Sequence, residues 1–251
     1  IYAACKATVK VGDGKEITLH EETNYPFEEA IAFTVSTGEK VAFPFYLRIP
    51  SWTQKAEVRV NGKKVSAAPV AGKYLCINRE WANGDRVELT FPMFLSMRTW
   101  QVNKNSVSVD YGPLTLSLKI AEKYVEKDSR ETAIGDSKWQ KGADSKKWPT
   151  TEIYPDSPWN YSLVLDKKEP LKNFKLIRKS WPTDNYPFTV ASVPLEVKAI
   201  GRPVPEWKID ETGLCGVLPE EDAVKGDKEE ITLIPMGAAR LRISAFPNTK
   251  E

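Results

Sequence analysis

Residues 41–92 contain the three stretches that decide the fold: VAFPFYLRIPSW (41–52), AEVRVNGKKV (56–65) and YLCINREWANGDRVELTFP (74–92). In each stretch apolar residues alternate with other residues, which is typical of strands that have one face in a core. Asn61 and Gly62 separate two such runs, where a two-residue hairpin turn needs a positive φ at both positions. Pro44 favours an edge strand or a bulge, because proline cannot donate a ladder hydrogen bond. These stretches predict antiparallel β-structure.

Short alternating runs continue through the rest of the chain, for example at 107–109, 161–165 and 241–243, and prolines between residues 182 and 219 disfavour helices there. The pattern dissolves at 121–158, a polar stretch too long for an ordinary loop, which indicates a mobile connection or a functional excursion. We therefore predict an all-β protein with two β-sandwich domains in tandem, of the jelly-roll or immunoglobulin-like kind. Residues 1–120 would form the first, and residues 121–251 the second, with a long polar Trp-containing connection at its start.

The charge balance and the hydropathy pattern exclude several classes of protein. The 251 residues include 36 basic and 34 acidic residues, which nearly cancel. A surface for nucleic acid or anionic membrane needs clustered positive charge, so we predict neither partner. No run approaches the roughly 18 apolar residues of a transmembrane helix. The first residue is Ile1 and not Met, and we expect the chain to be a piece of a longer protein.

Cysteine and histidine are too scarce for a metal site or a triad. Cys5, Cys76 and Cys215 are far apart, and they provide neither a disulfide framework nor zinc spacing. Free cysteine is usually buried, and Cys76 lies within an alternating run, so we expect it in the core. His20 is the only histidine, which excludes a His cluster, and it should be exposed on the polar face of its strand. We predict no metal and no cofactor in this chain.

Acidic residues are plentiful, and a glycosidase could use two of them on either side of a glycosidic bond. Adjacent or isolated acids at strand ends are usually solvated, so we predict no catalytic residue among them. The candidates weighed are Glu21-Glu22, Glu28-Glu29, Asp110, Asp156 and Glu220-Glu221.

Aromatic residues carry the functional signal of the sequence. Exposed indole and phenol rings can stack on the apolar faces of sugars, whereas a buried ring fills a core. Trp52 and Trp81 lie at strand ends, and we predict both in the core. The predicted carbohydrate-binding residues are Trp139, Trp148, Trp159 and Tyr161. The alternative is structural: Trp139 and Trp148 would anchor the polar stretch, and the other two would support a turn.

Seven short motifs occur in a fixed order along the chain and together resemble a known family. They are TNYPF (23–27), LRIPSW (47–52), VNG (60–62), WANGD (81–85), YGPL (111–114), PWNY (158–161) and LIPMG (233–237). This set resembles the region after the catalytic domain in glycoside hydrolase family 127, the β-L-arabinofuranosidase-like enzymes. The likeness covers nearly the whole chain.

The resemblance implies an upstream α-helical barrel of the same parent chain that carries the chemistry. In that family the cysteine nucleophile and the zinc site use a Glu-x-Cys element and a Cys-Cys pair in the barrel, and this sequence contains neither element. The chain therefore looks like the non-catalytic C-terminal portion of an enzyme for arabinofuranosides or related plant-type glycans, with any zinc in the barrel.

Several expectations go with that resemblance, and two other functions fit the strands. The sandwiches would support the barrel, and glycan binding and a homodimer contact are further expectations. A polysaccharide-degrading parent would often be exported, so we expect a periplasmic or secreted location, although the few cysteines neither require nor forbid it. The alternatives are a free carbohydrate-binding module and an interaction or adhesion sandwich.

Overall fold

The structure is a computed structural model that describes residues 2–129, 144, 146–220 and 222–251. The chain divides into two compact units, Ile1–Ser96 with Asp110–Leu114, and Met97–Val109 with Thr115–Glu251. The described residues form mainly strands, and short 3-10 turns lie at Gly12–Gly14 and Met236–Ala238. The prediction of an all-β fold is confirmed.

The first unit contains a six-stranded sheet and a separate strand pair. The strands are β1 (Cys5–Val11), β2 (Lys15–Thr23), β3 (Ala30–Thr37), β4 (Val41–Arg48), β5 (Glu57–Val60), β6 (Lys63–Lys64), β7 (Tyr74–Trp81) and β8 (Arg86–Thr90). The six-stranded sheet has the order β1-β2-β3-β8-β5-β6, and β4 pairs antiparallel with β7. The apolar faces of both layers enclose one core, as in a β-sandwich.

The core follows directly from the alternation in β4. Val41, Phe43, Phe45 and Leu47 are buried, and every residue between them is exposed. Trp81 is fully buried beside them, stacks on Phe43 with ring centroids 5.6 Å apart and donates its indole N–H to the Phe43 carbonyl at 3.0 Å. This confirms the prediction that Trp81 belongs to the core.

Trp52 and Pro44 occupy the margins of the same core. Trp52 is half-buried and packs edge-on against Phe91 at 5.8 Å, as predicted for a ring at the end of a strand. Among the described residues β7 is the only partner strand of β4. Pro44 therefore lies in an edge strand, as its lack of an N–H predicts.

The predicted hairpin turn has the expected geometry and a second role. Asn61 and Gly62 both have positive φ, at 50° and 76°. The Asn61 amide also donates to Asp85 Oδ1 at 2.8 Å, and its Oδ1 accepts the Arg86 N–H at 2.8 Å. Asp85 Oδ2 accepts the Ala82 N–H at 2.9 Å. Asn61 and Asp85 thus join the hairpin turn at 61–62 to the turn at 82–85.

The second unit is built on an eight-stranded sheet that has the C-terminal strand at one end and strands from the middle of the sequence at the other. Its strands are β9 (Leu95–Trp100), β10 (Ser106–Tyr111), β11 (Leu114–Leu118), β14 (Tyr161–Leu165), β15 (Lys175–Arg178), β16 (Leu195–Pro203), β17 (Glu229–Pro235) and β18 (Asn248–Lys250), and a separate pair is formed by β12 (Glu122–Lys127) and β13 (Thr150–Pro155). The order is β18-β14-β16-β17-β11-β10-β9, with β15 added on β16. All residues of β10 and β14 are buried, so both faces of the sheet are covered at these strands.

Two predicted features of this unit are wrong in detail. Within the polar stretch 121–158, β12 and β13 form a regular antiparallel pair in which Tyr124 lies opposite Ile153, so its described ends are not loop. No strand forms at 241–243. Instead, the Ile243 N–H donates to the Ser117 hydroxyl at 3.0 Å and the Leu118 N–H donates to the Ile243 carbonyl at 2.8 Å. A serine side chain replaces a ladder partner there, so the apolar run is buried without being a strand.

Candidate functional site

The four predicted sugar-binding aromatics have different environments. Trp148 is 71% exposed, so it does not anchor the polar stretch through burial. Trp159 is half-buried and lines a groove. Tyr161 is buried, and burial together with a hydrogen bond to the Glu229 carboxylate raises its pKa to about 12. Trp139 lies outside the described residues.

The Trp159 groove, in the second unit, is the described feature that best fits a small ligand. It has a volume of about 420 Å³ and is lined mainly by apolar side chains from separate parts of the unit, which is typical of ligand sites. The lining residues are Ile120, Ile153, Tyr154, Pro155, Trp159, Ile209, Gly213, Leu214, Cys215, Arg240, Leu241, Arg242 and Ile243.

The PWNY motif fixes the position of Trp159 in this groove. The Asn160 amide donates to the carbonyls of Val204 and Trp207 at 2.9 and 3.1 Å, and the Val204 N–H donates to the Asn160 carbonyl at 2.7 Å. The Trp159 ring packs edge-on against Trp207, with centroids 5.2 Å apart, and the Trp207 indole donates to the Gly216 carbonyl at 3.0 Å. The motif therefore holds Trp159 in place through Asn160, while the half-buried ring lines the groove.

Two arginines at the groove were not predicted from the sequence. Arg240 Nε donates to the Tyr124 hydroxyl at 3.0 Å, and Arg242 Nε donates to the Ala239 carbonyl at 2.8 Å. Both arginines are exposed and line the Trp159 groove. The alternation of Arg240 and Arg242 with Leu241 and Ile243 puts the two arginines on one face, but nothing in the sequence indicates that this face lies beside Trp159.

In the first unit, an acidic residue that the sequence analysis assigned to a solvated face is buried. Glu21 is 5% exposed, its Oε2 lies 3.8 Å from the Cys5 thiol, and its Oε1 has no hydrogen-bond partner among the described residues. Burial, the largest influence, raises the pKa of Glu21 above its ordinary value, although contacts with Cys5 and Ala3 oppose it. Glu21 belongs to the inward-facing residues of β2 with Ile17, which explains its burial.

The expectation of solvated acids also fails at Asp110, which is 8% exposed in β10. Asp85 behaves differently. Partial burial acts to raise its pKa, but hydrogen bonds from Ala82 and Asn61 and the charge of Arg79, 3.4 Å away, hold the pKa below its ordinary value. It therefore remains a carboxylate in a turn.

The outer face of the β4–β7 pair exposes aromatic side chains and a thiol. Tyr46 and Tyr74 are 62% and 68% exposed, and Cys76 lies directly opposite Tyr46 in the ladder. The prediction that Cys76 is buried is wrong, because Leu75 takes the inward position and turns Cys76 outward. Cys5 and Cys215 are exposed as well, against the general tendency of free cysteine to be buried.

Searches for metal and membrane features concern the described residues alone. There, no group of three or more His, Cys, Asp or Glu residues is placed to hold a metal ion. None of the helices in this part of the chain has the length and apolar character needed to cross a membrane. His20 is exposed on β2, as predicted.

Comparison with known proteins gives one family match and several similar structures. Residues 1–93 match the family model described as "Beta-L-arabinofuranosidase, GH127 middle domain". No curated protein matches the sequence. The structure is similar to a GH127 β-L-arabinofuranosidase from Geobacillus stearothermophilus T6, with a TM-score of 0.62 and 22% identity over 99% of this chain and 33% of that chain.

Two further solved structures give the same result. A protein described as a glycoside hydrolase has a TM-score of 0.61 and 22% identity over 100% of this chain and 35% of its own. A GH127 β-arabinofuranosidase has a TM-score of 0.61 and 22% identity over 99% and 34%. The chain thus spans about a third of the length of these proteins. At this identity the likeness shows a common fold.

Proposed function

We propose that this chain is the non-catalytic β-sandwich region of a GH127-like glycoside hydrolase and that it supports a catalytic barrel located upstream. The observation that carries the proposal is the match of residues 1–93 to the GH127 middle domain. The fold likeness supports it, because nearly all of this chain aligns with only a third of each similar enzyme. The matching model describes a middle domain, and the further assignment of the whole chain to the C-terminal end is part of the proposal.

The chemistry of the described residues supports a structural function. A retaining glycosidase needs two carboxyl groups about 5–5.5 Å apart, and an inverting one about 6.5–9.5 Å. Glu21 is the buried acid with a raised pKa, and the side chain that acts on it is the Cys5 thiol, not a second carboxyl group. At Glu21 the described residues therefore place a thiol where an acid pair would need a second carboxyl group.

The outer face of β4–β7 is the surface we assign to the barrel. Tyr46 and Tyr74 expose well over half of their area on adjacent strands. Large apolar groups that share one exposed face are typical of contact surfaces. A sandwich that braces a barrel needs such a face, and the polar tips of the tyrosines allow it to be hydrated before the contact forms.

The test begins with the natural sequence that precedes Ile1. We expect a helical segment with a Glu-x-Cys element and a Cys-Cys pair. Residues 1–251 alone should not hydrolyse β-L-arabinofuranosides, whereas the longer chain should. Robust hydrolysis by residues 1–251, or an unrelated segment before Ile1, would refute the proposal.

The assigned contact face can be tested in the longer chain. Tyr46→Ser with Tyr74→Ser should lower the thermal stability of the barrel, measured by calorimetry. Tyr186→Ser is the matched control, because Tyr186 is also about half exposed but lies in the second unit. Equal effects of both changes would contradict the assignment of the face.

A further inference from the structure

We propose that the Trp159 groove binds an acidic oligosaccharide, with a sugar ring against Trp159 and a sugar carboxylate between Arg240 and Arg242. This goes beyond the supporting function proposed above. The sequence predicted sugar binding at Trp159 without a ligand class, and the two arginines provide the charge that the ligand must carry.

The apolar part of the groove suits one face of a sugar. Its volume of about 420 Å³ lies within the range of about 300–1,000 Å³ that is usual for small-molecule sites. Ile209 and Leu214 are 44% and 66% exposed at the groove, so apolar surface is available to a ligand. The Trp159 indole N–H has no hydrogen-bond partner among the described residues. This donor can reach a hydroxyl group beside the stacked ring.

The arginines are oriented in a way that suits a carboxylate. Each uses its Nε to bind a fixed acceptor, the Tyr124 hydroxyl for Arg240 and the Ala239 carbonyl for Arg242. Their terminal nitrogens form no ion pair with any described residue. A guanidinium held in this way presents a planar fork that matches a carboxylate.

Nearby acids do not provide that carboxylate, because each has local partners. Glu122 accepts the Tyr124 hydroxyl at 2.5 Å and the Arg240 main-chain N–H at 3.0 Å. Asp210 accepts the Thr212 hydroxyl and the N–H groups of Thr212 and Leu214, within 2.6–3.0 Å. The Thr212 hydrogen bond is the largest influence and lowers the pKa of Asp210. Both acids are therefore already held by hydrogen-bond donors of the protein.

A neutral sugar would fit the groove less well than an acidic one. A neutral ligand that covers two guanidinium groups removes their hydration and does not replace it with an ion pair, which costs free energy. A carboxylate provides charge-assisted hydrogen bonds to both forks. The ligand class that follows is an oligosaccharide that contains a hexuronic acid.

The experiment is a calorimetric titration of the chain with trigalacturonate and with its fully methyl-esterified form. The two probes differ in charge and share the sugar rings. We expect the acid to bind at least about tenfold more tightly than the ester, since each charge-assisted hydrogen bond contributes about one such factor. Arg240→Gln and Arg242→Gln should each weaken binding about tenfold, and the double variant should bind no better than the ester.

The control removes the same charge elsewhere in the unit. Lys175→Gln with Arg178→Gln changes two exposed residues of β15 that do not line the groove, and it should leave the affinity for trigalacturonate unchanged. Equal binding of the acid and the ester, or full affinity in the double arginine variant, would overturn the proposal. A tri-glutamate peptide that binds as tightly as the sugar would also overturn it, in favour of an acidic polypeptide.

A readout on the unaltered chain keeps the test decisive if a variant does not fold. Cys215 lines the groove, and Cys5 and Cys76 are exposed in the first unit. Trigalacturonate should slow alkylation of Cys215, measured by peptide mapping, and leave the other two thiols unaffected. Unchanged alkylation of Cys215 at a saturating concentration refutes binding at this groove. The result is independent of whether a barrel precedes the chain.

Discussion

Replacing Asp85 with alanine should destabilise the first unit strongly, because this carboxylate joins two turns that are distant in sequence. Asp85 is 9% exposed. It accepts the Asn61 amide at 2.8 Å and the Ala82 N–H at 2.9 Å, and it lies 3.4 Å from Arg79. Removing the carboxylate leaves both donors without that acceptor, and only the hydrogen bonds between Asn61 and Arg86 among those named here still hold the hairpin next to the other turn.

The size of the effect follows from these contacts. A hydrogen bond to a charged group contributes about 1.5–3 kcal/mol. Two such bonds at the low end of that range, where water can partly replace them, amount to about 3 kcal/mol. The exposed Arg79 pair adds at most about 1 kcal/mol. Asp85→Asn keeps one acceptor and loses the charge, so it should cost about half as much as Asp85→Ala.

Urea denaturation followed by intrinsic fluorescence measures the change in the free energy of unfolding of this unit. Glu39→Ala is the matched control, because the Glu39 carboxylate forms a solvent-exposed ion pair with Lys15, and its side chain is 69% exposed. We expect a change below about 1 kcal/mol for the control. A cost for Asp85→Ala no larger than that of the control would refute the assignment of a structural link to Asp85.

The pH dependence of the link has a definite sign. The hydrogen bonds of Asp85 outweigh its partial burial and lower its pKa. Its contribution is therefore fully present above the ordinary aspartate pKa of about 3.9 and is lost as the pH falls through the lowered value. The stability difference between the parent chain and Asp85→Ala should be constant from pH 8 to pH 5 and should shrink in stronger acid.

Three other changes follow from the same core. Glu21→Gln removes a carboxyl group that has a pKa raised by burial. The stability contributed by such a group is lost as the pH rises through the raised pKa. The melting temperature of the variant relative to the parent should therefore increase from pH 4 to pH 8. Trp81→Phe loses the bond to the Phe43 carbonyl and leaves a cavity, and should cost about 2 kcal/mol in urea denaturation. Gly112→Ala should lower the thermal midpoint by an amount equivalent to about 1–3 kcal/mol, since φ is +54° and a Cβ atom would lie 2.6 Å from Met93 Cγ; an unchanged midpoint would refute this.

Much of the first unit could be predicted because its residues obey local rules. The alternation in 41–48 places Phe43 and Phe45 inside, and the Asn61-Gly62 pair selects a turn with two positive φ values. At Cys76 the position in the alternation, and not the usual burial of free cysteine, decides which way the side chain faces. Leu75 is buried, so its neighbour must face outward.

The groove could be predicted only in part, because its lining comes from segments that are distant in sequence. Trp159 carries a local signal in the PWNY motif. Arg240 and Arg242 lie in a segment that forms no strand. Hydrogen bonds between the Ser117 hydroxyl and the Ile243 backbone, and between Arg242 and the Ala239 carbonyl, hold this segment. The hydrophobic period of the sequence predicts neither contact. Periodicity predicts which face of a strand is buried. It does not predict which segments outside the strands will lie next to each other in the fold.

The two units therefore differ in the way that polar groups are used. In the first, the Asp85 carboxylate binds donors of the framework, and Glu21 lies beside the Cys5 thiol. In the second, Arg240 and Arg242 are each held through Nε, and within the part of the chain that the structure describes no ion pair engages their terminal nitrogens. A framework gains from satisfying every polar atom, whereas a binding site needs groups that are oriented but unsatisfied. This contrast favours a supporting function for the first unit and ligand recognition at the Trp159 groove in the second.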